Sequence, residues 1–206
     1  MLQARSWIRL HPAAFVIAFP PRRVNNVYLD APALDSLNAN LTGISKRRKL
    51  RLRWYGNDIR PWLELKTKNN LLGDKRRALL PCTIDLTKSW VEILKTVRNC
   101  APPKWRPWLP GGVRPSLYNS YRREYYVTPD GAIRATIDLN QCACDQRFHP
   151  CPNLRHALPL SDTVVIEIKG APDEIGRLQE IVGRFPIRRS RNSKYVNGLL
   201  VALFTQ

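Results

Sequence analysis

Three cations recur at every second position in one short stretch of the chain, KLRLRWYG at residues 49–56. They are Lys49, Arg51 and Arg53, and the residues between them are apolar. Alternation with a period of two is typical of a β-strand with one apolar and one polar face. Arg binds phosphate oxygens through paired hydrogen bonds and Lys binds them as a point charge. The stretch therefore raises the hypothesis that this strand binds a polyanion.

The same alternation recurs in four further stretches that are predicted to be strands. Each offers one apolar face and one face that carries cations with scattered carboxylates. These charged positions are Glu64, Lys66 and Lys68 in LELKTK, Arg122 and Glu124 in YRREYYV, Arg134 and Asp138 in IRATIDL, and Glu167 and Lys169 in VVIEIKG. An ordinary antiparallel sheet with its charged face in water would also explain the alternation. A sheet that closes with its charged side inward would instead form a cationic tunnel, which needs a polyanion inside it.

The composition limits the classes of protein to which the chain can belong. It has 206 residues, of which 44% are hydrophobic, enough for one domain with its own core. Lys and Arg number 34 against 16 Asp and Glu, a formal charge of +18. Such an excess favours a nucleic acid, an anionic membrane surface or a phosphorylated substrate as the partner. The apolar stretches are too short to span a membrane, and an odd number of Cys, five, predicts free thiols in a reducing, cytoplasmic compartment.

The elements that must position these residues can be read from the same patterns. The sequence predicts seven or eight strands linked mostly by hairpins, and three or four short helices. The fold class is therefore α+β, with a largely antiparallel sheet. The clearest helices are predicted at residues 31–43, 87–99 and 172–185, a strong hairpin turn at Pro-Asp-Gly 129–131, and an irregular loop at 142–159.

Seven motifs in this order resemble the VTC domain, the polyphosphate polymerase domain of the vacuolar transporter chaperone complex and its bacterial relatives. They are RRVNNVYLD, KRRKLRLRWYG, LELKTK with GDKRR, YRREYYV, IRATID, VVIEIKG and RNSKYVNGL. The resemblance runs from about Arg22 to Leu199 and implies a single domain over residues 1–206. That domain belongs to the CYTH-like triphosphate tunnel metalloenzymes, so the implied fold is an antiparallel β-tunnel with short flanking helices.

The resemblance also assigns roles to individual residues. Arg51, Arg53 and Lys66 are expected to bind phosphate, and Glu167 is expected to bind the metal. The other tunnel positions that the motifs imply are Arg122, Arg134 and Lys194 as further catalytic cations, and Lys49, Lys68, Lys169 and Arg191 as substrate-binding cations. The run Lys75–Arg77 contains one more family position, which the motif does not fix.

The implied activity is transfer of the γ-phosphate of ATP to a growing polyphosphate chain, with Mn²⁺ or Mg²⁺ as cofactor. Phosphoryl transfer needs positioning and charge neutralisation, which these residue types supply. The same site with water as the nucleophile would be a triphosphatase. The expected partners are ATP and polyphosphate or triphosphate. A membrane-protein partner and the oligomeric state are left open.

The chain departs from the family pattern in two places. Family members open with a strand that carries Glu-x-Lys and continue into a full helix, whereas MLQARSWIRLHPAAF resembles only the end of that helix. The first strand is therefore expected to be missing, through a misplaced start codon or a true truncation, which would leave an open tunnel and impair activity. Asn40 also stands where eukaryotic relatives have a basic residue.

Three other interpretations compete with the enzyme. Cys142, Cys144, His149 and Cys151 have a spacing that is not typical of a zinc site, so an incidental loop is favoured over a metal centre. A nucleic-acid-binding module would suit the charge and the aromatic residues. However, a backbone-binding groove should lack carboxylates such as Glu64 and Glu167, so no specific nucleic acid is expected. A subunit without activity is the third interpretation.

Overall fold

A computed structural model describes residues 2–70 and 72–205 of the chain. Their contacts divide into two compact units, neither of which is one continuous stretch. The larger unit comprises residues 24–120, 142–160 and 193–205, and the smaller unit comprises residues 2–23, 121–141 and 161–192. Within the described ranges, no helix is both long and apolar enough to cross a bilayer.

Seven strands make up one sheet within the described residues, with the hydrogen-bonded order β4-β3-β2-β1-β5-β6-β7. The registered pairs β1–β2, β2–β3, β3–β4 and β6–β7 are antiparallel. The predicted class, α+β with an antiparallel sheet, is confirmed. The strands are β1 (Val16–Asp30), β2 (Arg47–Tyr55), β3 (Asp58–Asn69), β4 (Leu72–Leu79), β5 (Arg114–Val127), β6 (Arg134–Asp145) and β7 (Val165–Lys169).

Five α-helices accompany the sheet in the described part of the chain, with short 3₁₀ turns at Pro103–Trp108 and Pro172–Glu174. Helix α3 begins with a capping box in which Ser89 and Glu92 satisfy each other's backbone N–H groups. Helix α2 is followed by Gly43 at φ 72°, the left-handed conformation that glycine adopts at little cost. The helices are α1 (Leu2–Leu10), α2 (Asp35–Leu41), α3 (Trp90–Cys100), α4 (Ile175–Gly183) and α5 (Lys194–Phe204).

The larger unit buries the apolar face of its strands against α3. Leu50 and Leu52 of β2 and Leu63 and Leu65 of β3 share one core with that helix. The helical contribution to this core consists of Trp90, Ile93, Leu94 and Val97. Because side chains alternate between the two faces of a strand, the cations of β2 lie on the opposite face.

A second core of the larger unit holds α5. Tyr195 and Leu199 of this helix pack with Tyr28, Leu37 and Leu117. A Cβ at Gly198 would lie only 2.6 Å from a methyl carbon of Leu117, so this position needs a residue without a side chain. The close approach fixes where the first turn of α5, and with it Lys194, is placed in this unit.

The smaller unit has its own core. Ala135, Ile137 and Leu139 of β6 pack with Ile8 of α1 and Ile181 of α4. The intervening residues of β6, among them Thr136 and Asp138, lie on the other face of the strand.

Two local predictions were wrong. The predicted loop at residues 142–159 begins as a strand, because β6 continues to Asp145 with Cys144 buried in the larger unit's core. The predicted number of helices, three or four, was too low, because the described residues form five α-helices.

Candidate functional site

The larger unit brings the predicted phosphate-binding cations onto one face. Antiparallel registry pairs Tyr28 with Arg51, Arg51 with Glu64, and Glu64 with Arg77 across four strands. Directly opposed residues project to the same side of an antiparallel sheet. We call this surface the cation face and define it by the following residues: Lys49, Arg51, Arg53, Glu64, Lys66 and Lys75.

Glu64 is the buried centre of the cation face. Its side chain is 3% exposed, and Oε2 accepts hydrogen bonds from Nη2 of Arg51 at 2.7 Å and from Nε of Arg51 at 2.8 Å. Arg53 Nη1 lies 3.6 Å from the same oxygen, and Lys75 Nζ lies 2.7 Å from Oε1. Burial opposes ionisation, but the charges of Arg51 and Arg53 and the hydrogen bond from Lys75 lower the pKa of Glu64 to about 2. Glu64 is therefore a fixed anion that orders three cations.

Neutral side chains from β1 orient two of these arginines. Arg53 is buried, and its Nε donates to Oδ1 of Asn26 at 2.8 Å. Arg51 donates from Nη1 to the hydroxyl of Tyr28 at 3.3 Å. The sequence reasoning missed Asn26 and Tyr28, although they alternate with the apolar Val27 and Leu29 and could have been found by the same pattern.

Strand β4 presents two residues of the Lys75–Arg77 run on the side of the cation face. Lys75 is paired in register with Lys66 and contacts Glu64, and Arg77 directly opposes Glu64. Arg76 instead forms an ion pair with Asp74, and both side chains are exposed to solvent. Sequence alone could not choose, because three consecutive cations contain no apolar residue to mark the faces of the strand.

Lys49 links β2 to the first turn of α5. Its Nζ donates to Oγ of Ser193 at 2.8 Å and lies 5.5 Å from the ring centroid of Tyr195. Burial, together with the nearby charges of Lys66, Arg47 and Arg51, lowers the pKa of Lys49 to about 8. Lys194 is the first residue of α5, next to Ser193, so the positive end of the helix dipole adds to the charge at this place.

Lys66 and Lys68 lie on β3 with different exposure. Lys66 is exposed and is directly opposed by Lys49 on one side and Lys75 on the other. Three lysines in one row repel one another, and an anion relieves that repulsion. Lys68 is half-buried and opposes Arg47.

In the smaller unit, β6 and β7 place three predicted site residues and one threonine side by side. Arg134 opposes Lys169, and Thr136 opposes Glu167. Lys169 Nζ lies 2.9 Å from Oε1 of Glu167, whose side chain is 44% exposed. We call this surface the polar face and define it by Arg123, Arg134, Thr136, Asp138, Glu167 and Lys169.

Arg123 holds the buried carboxylate of the polar face. It binds both oxygens of Asp138, at 2.6 and 2.7 Å, and Asp138 is 1% exposed. Burial opposes the charge of Arg123, but the hydrogen bonds to Asp138 outweigh it and raise the pKa of Arg123 above its usual value. For Glu167, burial also opposes ionisation, and the charge and hydrogen bond of Lys169, with the charge of Arg123, lower its pKa.

Arg122 lies on the opposite side of β5 from Arg123. Its charge acts on Glu124, a buried carboxylate that Arg5 of α1 binds through Nε at 3.0 and 3.1 Å. Glu124 also accepts a hydrogen bond from the hydroxyl of Tyr126 at 2.9 Å. The structure therefore does not bring Arg122 together with Glu167, and the arginine that it does place there is Arg123.

Arg191 lies between α4 and α5, outside any element, and is exposed. It belongs to the smaller unit, whereas Lys194 belongs to the larger one. The structure therefore describes these two residues of the RNSKYVNGL motif in different units.

A divalent metal fits the polar face in its donor chemistry. Mg²⁺ and Mn²⁺ prefer oxygen ligands and are commonly held by one or two carboxylates plus phosphate oxygens and water. Glu167 offers an exposed carboxylate, and the buried hydroxyl of Thr136 opposite it has no hydrogen-bond partner among the described residues. Asp138 is already bound by Arg123 through both oxygens. The group suits a metal that arrives with phosphate.

The Cys and His residues of the larger unit do not form a metal centre. No group of three or more His, Cys, Asp or Glu side chains within residues 2–70 and 72–205 is arranged to hold an ion. Cys144 is buried in the core, while Cys151 is exposed. His149 instead lies 3.3 Å from the amide nitrogen of Asn153.

The sequence model of one known family, the VTC domain, matches residues 20–100 and 108–203 of the chain. The chain belongs to the VTC domain family. The matched ranges include every residue of the cation face and the polar face. No curated protein matches the chain.

Two solved structures resemble this VTC domain. A candidate adenylyl cyclase from Hippeastrum, described as having a dominant triphosphatase activity, is 14% identical with a TM-score of 0.51, over 94% of this chain and 86% of that chain. A candidate adenylate cyclase from Vibrio parahaemolyticus is 10% identical with a TM-score of 0.49, over 93% and 88%. Identities this low show a shared fold and nothing about activity.

Proposed function

We propose that this VTC domain transfers the γ-phosphoryl group of ATP to the end of a polyphosphate chain. The observation that carries the proposal is the cation face, where one buried carboxylate orders three cations and two further lysines surround them. Five cations against one carboxylate leave a local excess of positive charge. Linear polyphosphate and the triphosphate of ATP are anions of matching charge density.

The larger unit would position the phosphates. Arg51 and Arg53 are held in place by Glu64, Asn26 and Tyr28, so little side-chain entropy is lost when they bind phosphate oxygens. Lys49, Lys66 and Lys194 would add charge along the chain of phosphates. In the reaction, a terminal oxygen of polyphosphate bonds to the γ-phosphorus, and the bond from that phosphorus to the β,γ-bridging oxygen breaks, so that ADP leaves. The attacking oxygen is already anionic and needs no general base.

The smaller unit would hold the cofactor. Glu167 is the residue that we expect to hold Mn²⁺ or Mg²⁺, which would neutralise charge on bound phosphate oxygens. Arg134 and Lys169 lie beside Glu167 on the polar face and would bind phosphate oxygens. Arg123 holds the buried Asp138 in place through hydrogen bonds to both carboxylate oxygens.

A triphosphatase is the second candidate function. It is favoured by the structure from Hippeastrum, which has the same fold and is described as having a dominant triphosphatase activity. In that case water replaces the polyphosphate end as nucleophile, and the cations and the metal keep their roles. The two reactions differ in their products.

The products therefore test the proposal. The protein is incubated with ATP and Mn²⁺, and polyphosphate is resolved from orthophosphate by gel electrophoresis and ³¹P NMR. The polymerase predicts ADP and chains that lengthen with time. Orthophosphate released from ATP or tripolyphosphate, without chains, would indicate the triphosphatase.

Variants connect the reaction to the two faces. Glu167→Ala should abolish metal-dependent turnover, and Arg51→Ala should weaken triphosphate binding by about tenfold or more. Arg60→Ala is the matched control, because Arg60 forms an ion pair with Asp58 at an exposed hairpin position outside both faces. If turnover survives Glu167→Ala unchanged, the metal assignment is wrong.

A competition assay separates the enzyme from a nucleic-acid-binding module. If the protein binds single-stranded RNA, tripolyphosphate should displace the RNA at concentrations near the Kd of the protein for tripolyphosphate. RNA binding that withstands tripolyphosphate would instead support the binding module.

A further inference from the structure

The polar face contains one buried polar atom that the protein itself leaves unsatisfied. Among the described residues, Oγ1 of Thr136 has no hydrogen-bond partner although it is shielded from solvent. Buried hydroxyl groups are bonded in the large majority of cases, because losing water without a replacement costs free energy. Three other buried atoms in the described residues also lack partners, on His11, Trp90 and Asn119, but Thr136 is the one that lies on the polar face, where a ligand could bind it.

The position of Thr136 indicates what that ligand is. It stands directly opposite Glu167 across the β6–β7 pair, and Asp138 follows two residues later on the same side of β6. Both carboxylates interact with cations, Glu167 with Lys169 and Asp138 with Arg123, and neither accepts the Thr136 hydroxyl. A neutral oxygen that faces a carboxylate and donates to nothing is suited to coordinate a cation.

We propose that the hydroxyl oxygen of Thr136 is a second protein ligand of the divalent cation that Glu167 would hold. The proposal deepens the function proposed above and rests on it. Hydroxyl oxygens of Ser or Thr are established ligands of Mg²⁺ beside phosphate in P-loop enzymes, so the chemistry is precedented. One carboxylate with one neutral oxygen leaves the other coordination positions for phosphate oxygens and water.

Metal binding can be measured without turnover. Mn²⁺ is titrated into the full chain, and free Mn²⁺ is followed by its electron paramagnetic resonance signal. Thr136→Val, which keeps the shape and removes the hydroxyl, should weaken Mn²⁺ binding by about tenfold. Thr136→Ser should bind within about twofold of the unchanged protein, because the ligand oxygen is retained.

Thermal unfolding gives an independent readout, in which Thr136→Val has different effects on Tm without metal and on the gain in Tm with Mn²⁺. Without metal, Thr136→Val should have an equal or higher Tm than the unchanged protein, because an unsatisfied buried hydroxyl has been removed. With saturating Mn²⁺, the unchanged protein should gain more in Tm than Thr136→Val. If Thr136 were needed only for packing, Mn²⁺ would raise Tm equally in both proteins.

Thr128 provides the matched control in the same unit. It is fully buried, and its hydroxyl donates to Asp130 and accepts from the backbone N–H of Ile133 at 3.1 Å. Thr128→Val should therefore lower Tm both with and without Mn²⁺ and should leave Mn²⁺ affinity unchanged.

The outcomes separate this inference from the proposed function. If Glu167→Gln abolishes Mn²⁺ binding and Thr136→Val binds Mn²⁺ as the unchanged protein does, the role of Thr136 is overturned and the metal site stands. If neither variant changes Mn²⁺ binding, or the unchanged protein binds none, the metal assignment and this inference both fail. A tenfold loss in Thr136→Val with recovery in Thr136→Ser supports the inference.

Discussion

Glu64 and Glu167 come from similar sequence patterns and have different surroundings. Each lies on the charged side of an alternating strand, two residues before a lysine. Glu64 is 3% exposed and is bound by Arg51, Arg53 and Lys75, whereas Glu167 is 44% exposed and pairs with Lys169. The same local pattern thus gives one carboxylate that orders cations and one that is open to a ligand.

The two carboxylates differ in the number of cations that contact them, and we expect this number to decide their roles. Three cations surround Glu64 and leave its carboxylate little capacity for a metal. At Glu167 one exposed ion pair contributes little, so a metal can compete for the carboxylate. We therefore expect the cation face to respond to anions and the polar face to respond to metal ions.

The largest expected effect is the loss of stability in Glu64→Gln. Removing one partner from a buried ionic cluster leaves charges without compensation, which costs about 3–5 kcal/mol in free energy of unfolding. Because the pKa of Glu64 is lowered to about 2, its contribution is present at neutral pH and is lost as the pH falls from about 4.5 towards 2. Urea denaturation of both proteins at pH 7 and at pH 3 measures this. An equal stability at pH 7 would remove Glu64 from the centre of the cation face.

A large effect is also expected for Arg123→Met and a small one for Arg122→Met. The first change leaves the buried Asp138 without its bidentate partner and should destabilise the protein by about 3 kcal/mol. The second affects an exposed side chain near Glu124 and should cost less than about 0.5 kcal/mol. Thermal unfolding of the two neighbouring variants compares them directly. The reverse order would place Arg122, and not Arg123, on the polar face.

An intermediate effect is expected in the pH dependence of tripolyphosphate binding. Lys49 has a pKa of about 8, so it loses its charge above that pH and affinity should fall by about fivefold to tenfold between pH 7 and pH 9. Calorimetric titration at the two pH values measures the change, with Lys49→Arg as a control that stays charged. Stability changes the other way: the folded protein releases this proton first, so the free energy of unfolding rises between pH 8 and 10.5. A pH profile of binding identical in Lys49→Arg would assign the titration to another group.

The smallest expected effect on stability is that of Lys169→Met. Both partners of the Lys169–Glu167 pair are largely exposed, so the change should alter the free energy of unfolding by less than about 0.5 kcal/mol. It should, however, strengthen Mn²⁺ binding, because a competitor for Glu167 is removed. Urea denaturation and Mn²⁺ titration measure the two parts. A loss greater than 2 kcal/mol would show that Glu167 is held as tightly as Glu64.

Much of the cation face could be predicted from the sequence. The alternation in β2 and β3 separates charged from apolar positions, and the structure places Leu50, Leu52, Leu63 and Leu65 in the core as that pattern requires. Alternation is a property of the strand itself, so it can be read without knowing the neighbours. Asn26 and Tyr28 follow the same alternation, but they carry no charge, so a search for alternating charged residues does not find them.

What could not be predicted depends on partners that are distant in sequence. Arg122 and Arg123 are adjacent and chemically identical, and the contact of Arg123 with Asp138 on the next strand distinguishes them. The unsatisfied hydroxyl of Thr136 likewise becomes visible only when β7 is paired with β6. Register across strands is set by the whole sheet and not by either strand alone.

The sequence by itself determined the α+β class, the family and the charged and apolar faces of most strands, because these follow from local periodicity and ordered motifs. The tertiary structure decided which carboxylate is saturated and which remains available to a ligand. That distinction depends on burial and on the number of cations brought within hydrogen-bond distance, and both are set by strand pairing.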